Sequence, residues 1–433
     1  MNVTTSSAAR PRIIGHRGAP CAAPEHTLAS YRAALAAGVW GVEPDLAPTR
    51  DGVLAIRHEP RLDETTDVRS RPFLARRTAE RSWLGETELG VFADDLDWDE
   101  LREVRAVAPM GFSRPRAAAL DGTEGVLRLR ELVALVEVER ARRGDGAPVL
   151  VVELKHAAFF ASREVDLVAL LERELAPVAD AACVRDAVYE SFEPGVLREL
   201  RARGVPGSLV YLVDDHGAPD DRVASDGAAA RTYADDLVDA GLDAIAEWAD
   251  GVSVNHRLLA PGLWGSGADG WDGPGVAVPV GVAVPVTVPV DAATAAAVRG
   301  ARPAAAAPGG GDSKGNRGFD AVVGAGANAA AGADEDEVVD AADATGSVAG
   351  TGSGAGARAG TGADAEPWAP GRDLVDRAHA RGLEVFTWTL RPEDAFLPAS
   401  FAGRPEDYWR AVAATGVDAV FADDPARVRD ALA

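Results

Sequence analysis

Short, β-rich apolar runs alternate with helical patterns along most of the chain. Ile13-Ile14 leads straight into Gly15-His16-Arg17-Gly18. Residues 27–37 place Leu28, Tyr31 and Leu35 at helical spacing, and Gly38 supplies a stop. Val42 to Leu46 and Val53 to Ile56 read as strands, with Asp51-Gly52 as the turn between them. The run VLVVEL at 149–154 is continuous, as expected of a strand buried on both faces. Similar runs recur at 187–192, 208–213, 384–390 and 417–422, with helical patterns at 163–175, 194–203, 372–381 and 406–414. Strand–helix units repeated in this way predict a parallel α/β sheet, and about eight of them predict closure into a TIM-type (β/α)8 barrel. Polar residues collect at the carboxyl ends of these strands, where barrels of this type keep their chemistry.

Two regions break the rhythm. Residues 59–97 are long, charged and irregular, which predicts an insertion over the barrel mouth running from about 59 to 125. The second is 265–367, which opens with alternating Val and Pro (276–290) and continues as Ala/Gly-rich text with DEDE at 334–337. Between Asp272 and Pro367 the only aromatic is Phe319, too little to build a core, so a flexible linker is expected. The Val/Pro run suits an edge strand or a polyproline-like spacer, because Pro is barred from central strands. The expected organisation is therefore a first barrel part at 12–264, the insert at 265–367, and a closing barrel part at 368–433.

Composition narrows the function. The 433 residues are 47% hydrophobic, enough for a large core, and Lys+Arg of 44 against Asp+Glu of 68 leaves a net charge of −24. Nucleic acid is a poor partner for such a chain, since phosphate-backbone binding needs surplus positive charge. Cys21 and Cys183 are the only cysteines, which excludes a disulfide framework and a Cys-rich metal site. With no long uninterrupted apolar run, stable membrane insertion is not expected. The opening MNVTTSSAARPRIIGHRG lacks the apolar stretch of a secretory signal, so a cytoplasmic location is expected.

One cluster stands out chemically. Glu43 and Asp45 lie two apart in an apparent strand, so both carboxylates face the same way. A divalent cation relieves that repulsion, and hard oxygen donors suit Mg²⁺ or Ca²⁺ better than zinc. Glu153 and Lys155 repeat the spacing at another strand end. Lys155 is one of two lysines, the other being Lys314 in the low-complexity insert. Arg serves elsewhere, so an ammonium at that strand end marks a demand of the site. His16 and His58 each follow an apolar strand and flank the carboxylate pair, a disposition suited to a base and an acid in one reaction. Arg17 offers a bidentate fork to a phosphate. His26, His156, His216, His256 and His379 are read as structural.

Taken in order, HRGAPCAAPEHTLASYRAALAAG, VEPDLAPTRDGVLAIRHEP and VVELKH resemble the glycerophosphodiester phosphodiesterases, across residues 12–60, 148–259 and 370–432. The resemblance implies a metal-dependent barrel that hydrolyses small-molecule glycerophosphodiesters to glycerol 3-phosphate and an alcohol. It implies Glu43, Asp45 and Glu153 as metal ligands and His16 and His58 as the acid/base pair. It further implies phosphate contacts from Arg17 and Lys155, an ordering role for Glu25, and Glu190, Phe192 and Trp388 near the substrate at the mouth. The stretch from TLRPEDAF to GVDAVFADDP is similar to longer, often exported members, from which the missing export signal departs. Three further departures are Glu59 where the family has Asp after its second histidine, His26 where it commonly has Asn, and Pro44 between the two metal ligands. Pro44 predicts an irregular strand end or bulge. Competing readings are a lysophospholipase D, a phospholipase C-like enzyme on the same barrel, and a catalytically idle binding module.

Overall fold

In the computed structural model, residues 10–83, 86–144, 146–264 and 367–433 are described. The predicted flexibility of 265–366 therefore lies outside the described residues. Twelve strands organise them: β1 (Arg12–His16), β2 (Gly41–Glu43), β3 (Asp45–Pro48), β4 (Leu54–Ile56), β5 (Ala79–Trp83), β6 (Glu86–Gly90), β7 (Val149–Leu154), β8 (Val188–Ser191), β9 (Ser208–Val213), β10 (Gly251–Asn255), β11 (Glu384–Leu390) and β12 (Ala419–Ala422). Parallel pairing runs β2-β1-β12-β11-β10-β9-β8-β7, and β2 also pairs with β7, which closes the sheet into an eight-stranded barrel. Helices including Leu28–Ala36, Leu167–Leu175, Pro194–Arg203, Ala369–His379 and Pro405–Ala413 lie between the strands in sequence.

Several readings of the sequence change here. The run predicted at 53–56 forms a strand over Leu54–Ile56, but β4 pairs antiparallel with β3 and is not a stave of the barrel. The missing stave is β10, whose sequence GVSVN has polar residues or glycine at alternate positions and so does not stand out by apolar pattern. Helix Leu167–Leu175 starts later than its pattern suggested, because Asp166 caps it by accepting from the Ala169 N–H, and Ala157–Ser162 forms a separate helix. Pro44 sits at the break between β2 and β3, the strand end its missing N–H predicts, and because Gly41 faces Val149 and Asp45 faces Glu153 the register is unbroken and no bulge forms.

Strand alternation then sorts every stave. In β7, Leu150, Val152 and Leu154 pack outward with the helices, while Val151 joins Ile14, Val188, Val210, Phe386, Ala419 and Phe421 in the barrel interior. One pleat further along those same inward rows stand His16, Glu153, Glu190, Trp388 and Asp423. Apolar side chains plug the amino-terminal half, and the chemistry sits immediately above the plug.

Residues 59–125 contain the β5–β6 hairpin and several short helices. They bury a small apolar cluster of their own, including Leu62, Val68, Leu74, Val91, Leu96, Leu101 and Val104. Salt bridges from Asp94 to Arg163 and from Arg114 to Glu393 and Asp423 tie this segment to the barrel loops. Among the described residues no helix is long and apolar enough to cross a membrane. Cys21 and Cys183 are both free.

One buried imidazole makes stability depend on pH. His256 lies against Trp264 and Tyr408, with Nδ1 2.6 Å from the Tyr408 hydroxyl. Burial pushes it from 6.5 down to about 3; Arg257 and Arg391 push the same way and Asp215 opposes them. A depressed imidazole stabilises the fold above the unfolded value near 6.5 and loses that contribution as pH falls towards the folded one. The shift corresponds to roughly 3 to 5 kcal/mol. Urea unfolding between pH 7 and pH 4 is expected to fall more steeply for the native chain than for His256→Gln. Parallel curves would contradict the assignment.

Candidate active site

The sheet register assembles the acidic centre. His16 faces Glu43 across β1 and β2, Asp45 faces Glu153 across β3 and β7, and Glu153 faces Glu190 across β7 and β8. Neighbouring strands lie about 4.8 Å apart, so this pairing lays the inward carboxylates side by side in one layer. Carboxylate oxygens of Glu43, Asp45 and Glu153 all lie within 4.8 Å of one another, and all three residues are buried. Glu43 Oε1, Asp45 Oδ1 and Glu190 Oε2 are buried without a hydrogen-bond partner.

Such crowding has an electrostatic signature. Burial, then Asp45, Glu153 and Glu190, push the Glu43 carboxyl well above the usual range despite Arg17. Burial also lifts Glu153 to about 8, with Asp45 adding to the shift and Lys155 opposing it. Glu190 is raised as well, by burial and by Glu153 and Asp45. Burial acts on Asp45 too, but Lys155, His58 and His26 outweigh it and hold that carboxyl well below its ordinary value. Carboxyls raised by burial and by their carboxylate neighbours, with oxygens of Glu43, Asp45 and Glu153 converging, fit a hard divalent cation with oxygen ligands.

Cations surround this centre. Lys155 Nζ lies 2.8 Å from Glu153 Oε1 and 3.5 Å from Asp45 Oδ1, and over the Phe192 ring at 5.5 Å. Phe192 in turn meets Trp388 edge-on at 5.3 Å. Arg17 adopts the left-handed φ of 54°. That conformation is held from both sides: its N–H donates to Glu43 Oε2 at 2.7 Å, and its carbonyl accepts from the His26 N–H and the Ser30 hydroxyl. Gly18 follows at φ 90°, where a Cβ would lie 2.7 Å from the Ser30 carbonyl carbon, so only glycine permits this close approach. The Arg17 guanidinium donates to Glu25 Oε1 at 3.0 Å and lies 3.5 Å from Asp45.

Both histidines are oriented alike. His16 Nδ1 meets Asp423 Oδ1 at 2.6 Å, and His58 Nδ1 meets the Glu59 carboxylate. Each ring is therefore fixed through Nδ1, leaving Nε2 for other work. Burial pushes His16 down to about 4, Asp423 pulling upward and Arg17 pushing further down, so the ring is neutral at neutral pH. His58 is also lowered, by burial and then Arg17, with Glu59 and Asp45 opposing.

All eleven residues singled out in the sequence thus belong to one connected neighbourhood at the carboxyl ends of the strands. Others were missed. His26, read as structural, has Nε2 2.8 Å from Asp45 Oδ2 and Nδ1 2.8 Å from the Tyr31 hydroxyl. Asp423 stands two residues past Phe421 on the inward row of β12, a parity that the apolar pattern alone would have revealed. Arg114, far away in sequence, carried no such signal.

Comparison with known proteins places the chain. The model of the glycerophosphoryl diester phosphodiesterase family matches residues 16–245 and 333–427, well over half of the chain. The chain belongs to that family. Over 196 residues it is 34% identical to a Mycobacterium tuberculosis protein named probable glycerophosphodiester phosphodiesterase 1, covering 45% of this chain and 61% of that one. A 71-residue stretch is 48% identical to human glycerophosphodiester phosphodiesterase domain-containing protein 5, covering 16% of this chain and 12% of that one. The matched stretches span less than two thirds of either relative. Among solved structures, a Silicibacter pomeroyi chain assigned to the glycerophosphoryl diester phosphodiesterases shares the fold, with a TM-score of 0.53 at 20% identity over 98% of this chain and 93% of that one.

Proposed function

We propose that the protein hydrolyses glycerophosphodiesters to glycerol 3-phosphate and an alcohol, using a divalent cation and two histidines. The observation that carries this reading is the convergence of Glu43, Asp45 and Glu153 within 4.8 Å of one another, with His16 and His58 each anchored through Nδ1 by its own carboxylate. Glu43, Asp45 and Glu153 would hold the cation, Mg²⁺ or Ca²⁺ by the chemistry of the oxygen donors. When bound, the ion offers positive charge to a phosphoryl oxygen and to the attacking hydroxyl.

The remaining roles fall to this chain's own groups. One imidazole removes the proton from the glycerol 2-hydroxyl as its oxygen bonds to phosphorus, the other protonates the alcohol oxygen as its bond to phosphorus breaks, and water then opens the resulting cyclic phosphate to glycerol 3-phosphate. Lys155 and Arg17 exchange part of their pairing with Asp45, Glu153 and Glu25 for the phosphoryl oxygens, where negative charge gathers. Phe192 and Trp388 form the apolar wall on which the alcohol rests. A lysophospholipid as the diester is a second reading, favoured by Phe112, which is fully exposed two residues before Arg114.

The test is a panel of glycerophosphodiesters plus lysophosphatidylcholine, with released glycerol 3-phosphate and free alcohol measured with and without EDTA. Metal-dependent release of glycerol 3-phosphate from the water-soluble diesters is expected. Turnover confined to the lysolipid would favour the second reading, and no turnover by the folded, metal-supplemented chain would favour a binding module.

A further inference from the structure

We propose that Arg114, contributed by the 59–125 insertion, is a positioning residue that sets the His16 imidazole by clamping Asp423. The catalytic part of this inference rests on the function proposed above. Arg114 is 6% exposed, and its guanidinium forks between two carboxylates from different loops. Nη2 donates to Asp423 Oδ2 at 2.6 Å, while Nε and Nη2 donate to the two oxygens of Glu393 at 2.7 and 3.2 Å. Arg391 Nε adds a second bond to the same Asp423 oxygen at 3.0 Å. The other oxygen, Oδ1, is the one that meets His16 Nδ1 at 2.6 Å.

A carboxylate turns easily about its last torsion, which has broad, two-fold preferences. Here Oδ2 is held by two guanidiniums, so Oδ1 has one direction left, and that direction fixes the imidazole plane. Two arginines and two carboxylates also balance in charge, which lets the group lie buried. Three bonds from one planar fork need arginine, because an ammonium presents its donors at a single point. The insertion is thereby wired to the closing strand of the barrel and to the histidine on β1. Its loss would disturb the chemistry without touching substrate.

The experiment uses the full chain in Arg114→Ala, Arg114→Lys and Glu393→Gln forms, each also made in a His16→Ala background. Arg114→Ala is expected to lower kcat about 10- to 100-fold, the usual scale for an outer partner of a site residue, while KM changes less than about threefold. Arg114→Lys and Glu393→Gln should fall between Arg114→Ala and the native chain. Added to His16→Ala, the Arg114 change should lower residual turnover by no more than about twofold, because its effect passes through the imidazole. A second readout is independent of activity. The His16 Nδ1 proton, identified in ¹⁵N-histidine NMR spectra by its loss in His16→Ala, should shift upfield or broaden in Arg114→Ala and less so in Arg114→Lys. An unmoved resonance, or an equal loss of turnover with and without His16, would overturn the inference. If the native chain hydrolyses no diester, the functional reading fails, and the resonance alone still decides whether Arg114 sets the ring.

Discussion

His16→Ala and His58→Ala are each expected to slow turnover by at least about 10²-fold while leaving the fold intact, the scale on which positioned acids and bases act. The structure explains why folding survives. Asp423 keeps its bonds from Arg114 and Arg391 when the His16 ring is removed, so no buried charge is stranded. Glu59 keeps the attraction of Arg17 and Arg57 when the His58 ring is gone. Both side chains border the accessible site, at 13% and 19% exposure, so truncation leaves little sealed cavity. The double variant should be barely slower than either single one, because a reaction needing both proton transfers is already crippled by losing one. Steady-state rates on glycerophosphocholine, with circular dichroism to confirm folding, provide the check. Near-native activity in folded His16→Ala would end the acid/base scheme.

The barrel was legible because most of its strands are apolar on both faces over their amino-terminal halves and its helices intervene regularly. The site was legible because inward and outward positions alternate. Glu43 with Asp45 and Glu153 with Lys155 could be paired from spacing alone, and the register of β3, β7 and β8 then sets Asp45, Glu153 and Glu190 in adjacent positions. What stayed hidden has physical reasons. The β10 strand carries Ser253 and Asn255 on its inward row, so half its pattern is polar and its apolar signal is weak. Leu54–Ile56 is as apolar as any stave, yet it pairs antiparallel with β3, a distinction periodicity does not encode. His26 looked ordinary because its partner Asp45 is 19 residues away, on another element. Arg114 reaches Asp423 across 309 residues of sequence, and only the folded chain brings such a pair together.

Stripping divalent cations with EDTA is expected to abolish turnover, by at least about 10³-fold, with Mg²⁺ or Ca²⁺ restoring it, since several kcal/mol of charge stabilisation would be lost. The acidic layer also predicts a stability readout separate from catalysis. Asp45 has Lys155, His58 and His26 to offset its charge, whereas burial, reinforced by neighbouring carboxylates, raises Glu43, Glu153 and Glu190. In the metal-free chain, Glu153 holds its proton from the ordinary 4.5 up to about 8. A carboxyl raised in the folded state contributes fully below its unfolded value, and that contribution drains away as pH climbs through the folded one. Metal-free protein should therefore lose stability between about pH 4.5 and 8. A cation supplies the missing positive charge and displaces those protons, so the rise in melting temperature on adding it should be larger at pH 8 than at pH 5. Glu153→Gln separates the causes. Without the carboxylate, the metal-free chain should be more stable than the native one at pH 8, respond little to the cation, and turn over at least about 10²-fold more slowly. Melting curves indifferent to cations at both pH values, or turnover unmoved by EDTA, would show that the converging carboxylates serve some purpose other than holding a metal.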